Sequence, residues 1–195
     1  MATRDTQEIL LRAATELFYK KGYSGTSIRE VGHKAGVSNS LLYHYFKNKE
    51  EMLSQIIIKT SESLLKTLEE VDQRVADPME CLKEMIVEHA VRFGIRSRKE
   101  SKIVVEENAW LTGKRKEMMK NYERKLYDLY MKRLKELAAT GKMNDLNLVV
   151  LDFSLFGIIN WFQRWYREEG PLSPEEIAQN LLNLILHGIL KDKSE

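Results

Sequence analysis

Apolar residues recur at intervals of three or four along most of this 195-residue chain, which is the spacing of amphipathic helices. Caps and helix breakers divide the pattern. Asp77-Pro78 and Ser173-Pro174 each open a new helix, and "TGK" at residues 140–142 ends another. Further breaks are expected near residues 97–101 and 111–116. The pattern predicts an all-α fold of about nine helices with no strand.

Two short helices joined by a tight turn are predicted near the N-terminus. Thr26 or Ser27 can cap the first of them, and Gly36 permits a sharp turn after it. Ser38 can cap the next helix, and Asn48 can cap a longer helix after that. This spacing is typical of a helix-turn-helix.

The second helix of this motif has one polar and one apolar face. At about 100° per residue, an arc of roughly 140° contains an amide, two hydroxyl groups, an imidazole and an ammonium group. These belong to Asn39, Ser40, Tyr43, His44 and Lys47, and the opposite arc, expected to pack, contains Leu41, Leu42, Tyr45 and Phe46. Such donors suit phosphate oxygens and base edges, and a helix fits the major groove of B-DNA. Lys47 can also be read as a solvated charge.

Positive charge is concentrated in the first quarter of the chain. Residues 1–50 contain eight Lys and Arg residues and five acidic residues, whereas residues 51–195 contain 23 and 24. A basic excess on the helix-turn-helix segment favours a polyanionic partner. We therefore predict a DNA-binding domain at residues 1–50 and a larger helical domain at residues 51–195, to which the family resemblance described below assigns ligand binding and dimerisation.

No catalytic or metal-binding pattern is present. The chain has no G-x-S-x-G, Walker, GxGxxG or HExxH motif, and its histidines lack the spacing of paired metal ligands. We predict no enzymatic activity and no cofactor.

The single Cys81 cannot form an intrachain disulfide. The most apolar run, residues 146–162, contains Asp152 and Asn160 and is shorter than the roughly 20 residues of a membrane span. The expected location is the cytoplasm, without a membrane partner.

The N-terminal segment resembles a known family. The sequence "ELFYKKGYSGTSIREVGHKAGVSNSLLYHYFKNKEEML", residues 16–53, is similar to the DNA-binding domain of the TetR/AcrR transcriptional regulators. The resemblance implies that Arg29 lies on the supporting helix at the groove, that Asn39, Ser40 and Leu41 lie at base edges, and that Tyr43, His44 and Lys49 lie on phosphates. With the cap Ser38, these residues form the expected DNA-binding set. Gly32 stands where the family usually has Ala, and Asn39 stands where a basic residue is common, which implies a different base preference.

The C-terminal half contains more apolar surface than one core face requires. Residues 146–167 read as a helix that is apolar all round, and the last helix carries two apolar stripes. Both helices could be central in a monomer. The family resemblance implies instead that they pair with those of a second subunit in a four-helix bundle, which gives a homodimer with two recognition helices for a palindromic site.

A second resemblance concerns the effector. The sequence "GIINWFQRWYREEGPLSPEEIAQ", residues 157–179, resembles a sub-branch of the same family associated with fatty-acid degradation, whose ligands are acyl-CoA thioesters. That sub-branch tends to have "EER" where this chain has Glu106-Glu107-Asn108. An aromatic stripe is also common in a helical core, so a structural role stays open. The residues expected at the ligand are Phe93, Trp110, Tyr122, Phe156, Asn160, Trp161, Arg164 and Trp165.

The sequence thus predicts a dimeric repressor that leaves a palindromic, double-stranded DNA operator when a small apolar effector, such as an acyl-CoA, binds. Two alternatives remain open. One is a helical acyl-binding protein that uses the same pocket, and the other is a helical scaffold that binds protein partners. Salt-dependent binding to DNA distinguishes the repressor from both.

Overall fold

The structure, a computed structural model, describes residues 2–167 and 169–189. These residues form nine α-helices and no β-strand, which confirms the predicted all-α fold. None of the described helices is both long enough and apolar enough to cross a membrane. The helices are α1 (Ala2–Lys21), α2 (Ile28–Ala35), α3 (Asn39–Tyr45), α4 (Lys49–Arg74), α5 (Pro78–Glu88), α6 (Arg98–Glu107), α7 (Gly113–Ala139), α8 (Leu148–Trp165) and α9 (Pro174–Ile189).

Side-chain caps explain where several helices begin. The Asp77 carboxylate accepts a hydrogen bond of 2.9 Å from the backbone N–H of Glu80 at the start of α5. At the start of α9, the Ser173 hydroxyl accepts from the Glu176 N–H, and the Glu176 carboxylate accepts from the Ser173 N–H in return. Both helix starts that were predicted from the sequence are therefore capped as expected.

The chain divides into two compact units. The first contains Met1–Ser61 and Lys99–Lys120, and the second contains Glu62–Arg98 and Asn121–Glu195. The first unit thus includes most of α6 and the start of α7 as well as α1 to α3. The functional boundary predicted at residue 50 stays a prediction.

The first unit is built around α1 to α3 and the first half of α4, up to Ser61. Helix α1 packs against α2, and α2 packs against α3. Helix α6 joins this unit through the Glu107 carboxylate, which accepts a hydrogen bond of 3.0 Å from the Tyr23 N–H. The largest fully buried side chains of this unit are Leu10, Phe18, Leu42, Phe46, Met52, Leu53 and Ile57. The short helix α3 is therefore held by a core to which the neighbouring helices contribute most of the apolar area.

A π-helical segment, His89–Arg96, follows α5 in the second unit and packs against α5, α8 and α9. The sequence pattern predicts a single α-helix through Phe93, whereas α5 ends at Glu88. Gly94 allows a close approach to α8, because a Cβ there would lie 3.3 Å from Phe162 Cβ. Phe93 remains buried in the π geometry.

Helix α8 is apolar all round, but one side of it is exposed in this chain. Leu155 and Ile159 are buried on its inner side. The alternative in which this helix is central in a monomer therefore does not fit, and its pairing with a second subunit stays a prediction. Its exposed apolar side chains are Val149, Val150, Phe153, Ile158, Trp161 and Trp165.

Candidate nucleic-acid interface and candidate ligand sites

Helices α2 and α3 are joined by a tight turn that local chemistry explains. Ser27 and Glu30 form a capping box at the start of α2. Gly36 ends the helix with a φ of 67°, a left-handed conformation that glycine adopts without steric cost. The Ser38 hydroxyl then accepts a hydrogen bond from the Leu41 N–H and caps α3. The structure therefore has the predicted helix, turn and helix.

Two side chains anchor α3 from its inner side. Leu42 is fully buried, and Phe46 is 1% exposed. A Cβ at Gly32 would lie 3.1 Å from Leu42 Cδ2, so α2 and α3 are in tight contact at this point. Because α3 has only seven residues, this contact determines which of its faces points outward.

The outer face of α3, with Arg29 of α2, is exposed. Tyr43 is 46% exposed and Leu41 is 41% exposed. The helical wheel places Leu41 on the packing arc, and this prediction is wrong, because the contact with the domain extends only over the side occupied by Leu42 and Phe46. Of the residues predicted at DNA, the exposed ones are Arg29, Ser38, Asn39, Ser40, Leu41, Tyr43 and His44, and Lys47 is exposed as well.

Lys49 differs from the other predicted DNA contacts because its ammonium group is bound within the first unit. Its Nζ donates hydrogen bonds of 2.6 Å to the Tyr23 carbonyl and 2.8 Å to the Thr26 carbonyl. It also lies 4.0 Å from the centre of the Tyr23 ring. Burial lowers the pKa of Lys49. Most of its bonding capacity therefore stabilises the loop between α1 and α2.

Two predicted ligand residues have other contacts. Trp110 belongs to the first unit, where its ring lies 5.4 Å from that of Tyr23 and is 49% exposed. Tyr122, in the second unit, donates a hydrogen bond from its hydroxyl to the Glu62 carboxylate. Burial, together with this carboxylate, raises the pKa of Tyr122 to about 12. The role of these two residues at a ligand stays a prediction.

Trp161 and Trp165 line an open groove of about 480 Å³ between α8 and α9. The Arg164 guanidinium lies 5.0 Å from the centre of the Trp161 ring, so the two side chains are in contact. Asn160 is half-buried on the same helix. The remaining lining residues are almost all apolar and include Ile158, Phe162, Leu172, Ile177, Leu181 and Leu184.

Phe93, which is buried, and Phe156, which is half-buried, lie beside His89 in the second unit. The His89 ring lies 5.5 Å from Phe93 and 6.0 Å from Phe156, and Phe156 lies 5.2 Å from Tyr130. Burial lowers the pKa of His89 to about 3, so this imidazole is neutral at physiological pH. The predicted ligand residues therefore lie in more than two places: two beside His89, others at or near the α8–α9 groove, and Trp110 and Tyr122 with the separate contacts given above.

Asp152 is an interior residue that the ligand prediction missed. It is fully buried, and neither carboxyl oxygen has a hydrogen-bond partner. Burial raises its pKa to about 7. The only signal in the sequence is an acidic residue within the most apolar helix. Among the residues that the structure describes, no group of three or more potential ligands could hold a metal ion.

Two family models match this chain. One, described as bacterial regulatory proteins of the tetR family, matches residues 10–56. The other, described as a tetracyclin repressor-like C-terminal domain, matches residues 75–189. The matches together include the helix-turn-helix and the π-helical segment.

Individual relatives are similar over almost their full length. The chain is 24% identical over 189 residues to the HTH-type transcriptional repressor KstR2 of Mycolicibacterium smegmatis, which is 95% of this chain and 91% of that protein. The solved structure of the ketosteroid transcriptional regulator KstR2 of Mycobacterium tuberculosis is 23% identical with a TM-score of 0.89, over 95% of each chain. The structure of AibR in complex with isovaleryl coenzyme A and operator DNA is 24% identical with a TM-score of 0.84, over 92% of this chain and 97% of that one. These two structures show that the fold is shared.

Proposed function

Because the chain belongs to the TetR family of bacterial regulatory proteins, we propose that it is a repressor that binds a palindromic operator as a homodimer and is released by a small effector. The family match favours this function over the acyl-binding protein and the protein scaffold, neither of which requires a DNA-binding surface. The relatives are transcriptional regulators, in keeping with the predicted absence of catalysis. Binding of chromosomal DNA implies that the protein acts in the cytoplasm.

The exposed polar face of α3 is the observation that supports DNA binding most directly. Asn39 and Ser40 stand at the exposed N-terminal end of the helix, and an Asn side chain can form paired hydrogen bonds with the edge of an adenine. Tyr43 and His44 offer a hydroxyl and an imidazole farther along the same helix. We assign Asn39, Ser40 and Leu41 to base edges, and Tyr43, His44 and Arg29 to the sugar-phosphate backbone.

We assign Lys49 a supporting role in place of a primary phosphate contact. Two backbone carbonyl groups and the Tyr23 ring already surround its ammonium group. These contacts connect the start of α4 to the loop before α2, so they help to position the helix-turn-helix. Any remaining contribution of Lys49 to phosphate binding is secondary.

The outer faces of α8 and α9 are proposed to form the dimer interface with a second copy of the chain. Leu184 is 69% exposed, Phe153 62% and Trp161 58%. They belong to an apolar surface whose exposure to water is energetically unfavourable. A second copy is the occupant because the same face on two subunits is self-complementary under two-fold symmetry. Trp161, Arg164 and Trp165 are then interface residues, and not the binding site for an acyl chain.

The effector is proposed to be an acyl-CoA whose apolar part enters the interior of the second unit. Phe93 and Phe156 belong to that interior, next to the π-helical segment. AibR, which is similar in fold, is a protein crystallised with isovaleryl coenzyme A. The proposal is further supported by the resemblance of residues 157–179 to acyl-CoA-responsive regulators. Release of DNA requires that the effector bind more tightly to a conformer whose recognition helices no longer match the operator.

The test of DNA binding uses a duplex enriched by the protein from a random library, with affinity measured by fluorescence anisotropy. Asn39→Ala and Tyr43→Ala should each weaken binding by about 1 to 3 kcal/mol, because each removes contacts to DNA. Lys142→Ala, an exposed charge beyond α7, serves as the matched surface control. Unchanged affinity for both α3 variants would show that the recognition surface lies elsewhere.

A further inference from the structure

A buried polar cluster lies inside the second unit and consists of His89, Tyr130 and Asp152. His89 Nδ1 lies 3.1 Å from the Tyr130 hydroxyl, and that hydroxyl donates a hydrogen bond of 3.2 Å to the Met85 carbonyl. All three members of the polar cluster are at most 1% exposed. They come from the π-helical segment, α7 and α8, so the cluster joins three separate parts of the fold.

Asp152 approaches the polar cluster from α8. Phe156 lies one helical turn farther along the same face, and its ring contacts both His89 and Tyr130. Helix α8, which carries Asp152, packs against the π-helical segment, which carries His89. Burial, followed by the charge of Asp152, raises the pKa of Tyr130. Asp152 therefore belongs to the same interior as the two other members.

Within the polar cluster, the carboxyl group of Asp152 is the group that has no hydrogen-bond partner. Neither of its oxygens forms a hydrogen bond, although the side chain is fully buried. Buried polar groups in proteins are nearly always paired, because an unpaired group loses its hydration without compensation. The adjacent π-helical segment is a geometry often found at functional sites. An unpaired carboxyl group beside such a segment needs a partner that the described residues do not supply.

We infer that the polar cluster binds a hydroxyl group of an otherwise apolar effector, and that Asp152 is the residue that pairs with it. This inference rests on the proposed function, in which the second unit binds the effector. A hydroxyl group both donates and accepts, so it can pair with a carboxyl group in either protonation state. The surrounding Phe93, Phe156 and Met85 side chains fit the apolar remainder of such a molecule.

The charges of the polar cluster favour a neutral group over an ion. His89 is neutral because burial lowers its pKa to about 3, and burial raises the pKa of Asp152 to about 7, so much of the carboxyl is protonated at neutral pH. An ammonium ligand would lose its hydration in this apolar interior and would find only one carboxyl group as a charged partner. A carboxylate ligand would meet no cation among the three members.

The test compares four eight-carbon probes by isothermal titration calorimetry on the full-length protein. The pair 1-octanol and methyl heptyl ether have the same composition but differ in the hydroxyl donor, and octylammonium and octanoate test a cation and an anion. The wild-type protein should bind 1-octanol at least about fivefold more tightly than the ether, which is the contribution of one buried hydrogen bond. Octanoyl-CoA and 3-hydroxyoctanoyl-CoA form a second matched pair for the proposed effector class.

Substitution of Asp152 identifies the responsible residue. Asp152→Leu should remove the preference for the alcohol, whereas Asp152→Asn, which retains a donor and an acceptor, should keep part of it. The exposed Asp128→Leu on α7 is the matched control and should leave the preference unchanged. Circular dichroism of each variant confirms the helical fold, and the Asn variant remains informative if the Leu variant does not fold.

Three results would overturn the inference. The first is a preference for 1-octanol that persists in Asp152→Leu, the second is tighter binding of octylammonium than of 1-octanol by the wild-type protein, and the third is no binding of 1-octanol. DNA binding by anisotropy is measured separately on the same samples. If the wild-type protein does not bind DNA, the proposed function is refuted. If it binds DNA but does not prefer 1-octanol to the ether, only the role of Asp152 is refuted.

Discussion

Replacement of Asp152 by Asn should change how stability depends on pH. The ordinary pKa of an aspartate is 3.8, and burial in the folded protein raises it to about 7. Between these values the folded state holds a proton that the unfolded state has released. Asp152 therefore contributes a loss of about 1.4 kcal/mol of stability for each pH unit as pH rises through this range, and this loss ends above pH 7. The amide group of the Asp152→Asn variant has no proton to release, so the variant lacks this loss.

The measured quantity is the free energy of unfolding of Asp152→Asn minus that of the wild-type protein, at equal protein concentration. From pH 5 to pH 8 this difference should rise by about 2.5 kcal/mol, which follows from the two pKa values by linkage. His89 opposes this trend in both proteins, because burial lowers its pKa from an ordinary value of 6.5 to about 3, so its contribution cancels from the difference. The pKa of Tyr130 lies well above its ordinary value, so this phenol stays protonated throughout the range.

Urea unfolding followed by circular dichroism at five pH values provides the measurement. The exposed Asp128→Asn is the control, and its difference from the wild-type protein should not vary in this way with pH. A difference for Asp152→Asn that stays constant from pH 5 to pH 8 would refute the reasoning, because it would mean that the carboxyl is solvated or paired in the folded protein.

Three further outcomes are expected. Lys49→Met should lower the free energy of unfolding by about 1 to 3 kcal/mol, because it removes two hydrogen bonds to carbonyl groups. If the variant keeps its stability but the salt dependence of its DNA binding changes, Lys49 contacts a phosphate after all. Leu184→Glu should be a monomer by light scattering, because it places a charge in the proposed interface, whereas the control Met118→Glu in the first unit should remain a dimer. A Leu184→Glu variant that is still a dimer would contradict the proposed interface. Acyl-CoAs of increasing length should release DNA at decreasing concentration, at roughly 0.8 kcal/mol per buried CH₂, whereas free CoA should not; no response to any thioester would remove this effector class.

The local structure of the helix-turn-helix could be predicted because its determinants are neighbours in sequence. Gly36 adopts the left-handed conformation that its lack of a Cβ allows, and Ser38 caps the next helix, as the pattern indicates. The wrong prediction that Leu41 is packed arises because its exposure depends on tertiary contacts. A helical wheel separates apolar from polar residues, but the width of the contact with the domain decides which apolar residues are covered.

The second unit was less predictable because its chemistry depends on packing between distant segments. Trp161 and Arg164 are three residues apart on α8 and their side chains meet, but only the packing of α8 shows that they lie on its outer side. The π-helical geometry of residues 89–96 has no clear signal in the hydrophobic pattern. Asp152 could be noticed as an acid in an apolar helix, yet its burial without a partner requires the positions of α7 and the π-helical segment.

The central claim is that α3 reads a two-fold symmetric operator, and selection of sequences from a randomised duplex library tests it most directly. We expect enrichment of an inverted repeat, because two copies of α3 in a homodimer present the same residues to two half-sites. Sequencing of the bound pool should show two equivalent half-sites for the wild-type protein, and Asn39→Ala should alter the base preference at equivalent positions in both. Retention of DNA without any enriched sequence, or enrichment that the Asn39 substitution leaves unchanged, would contradict it.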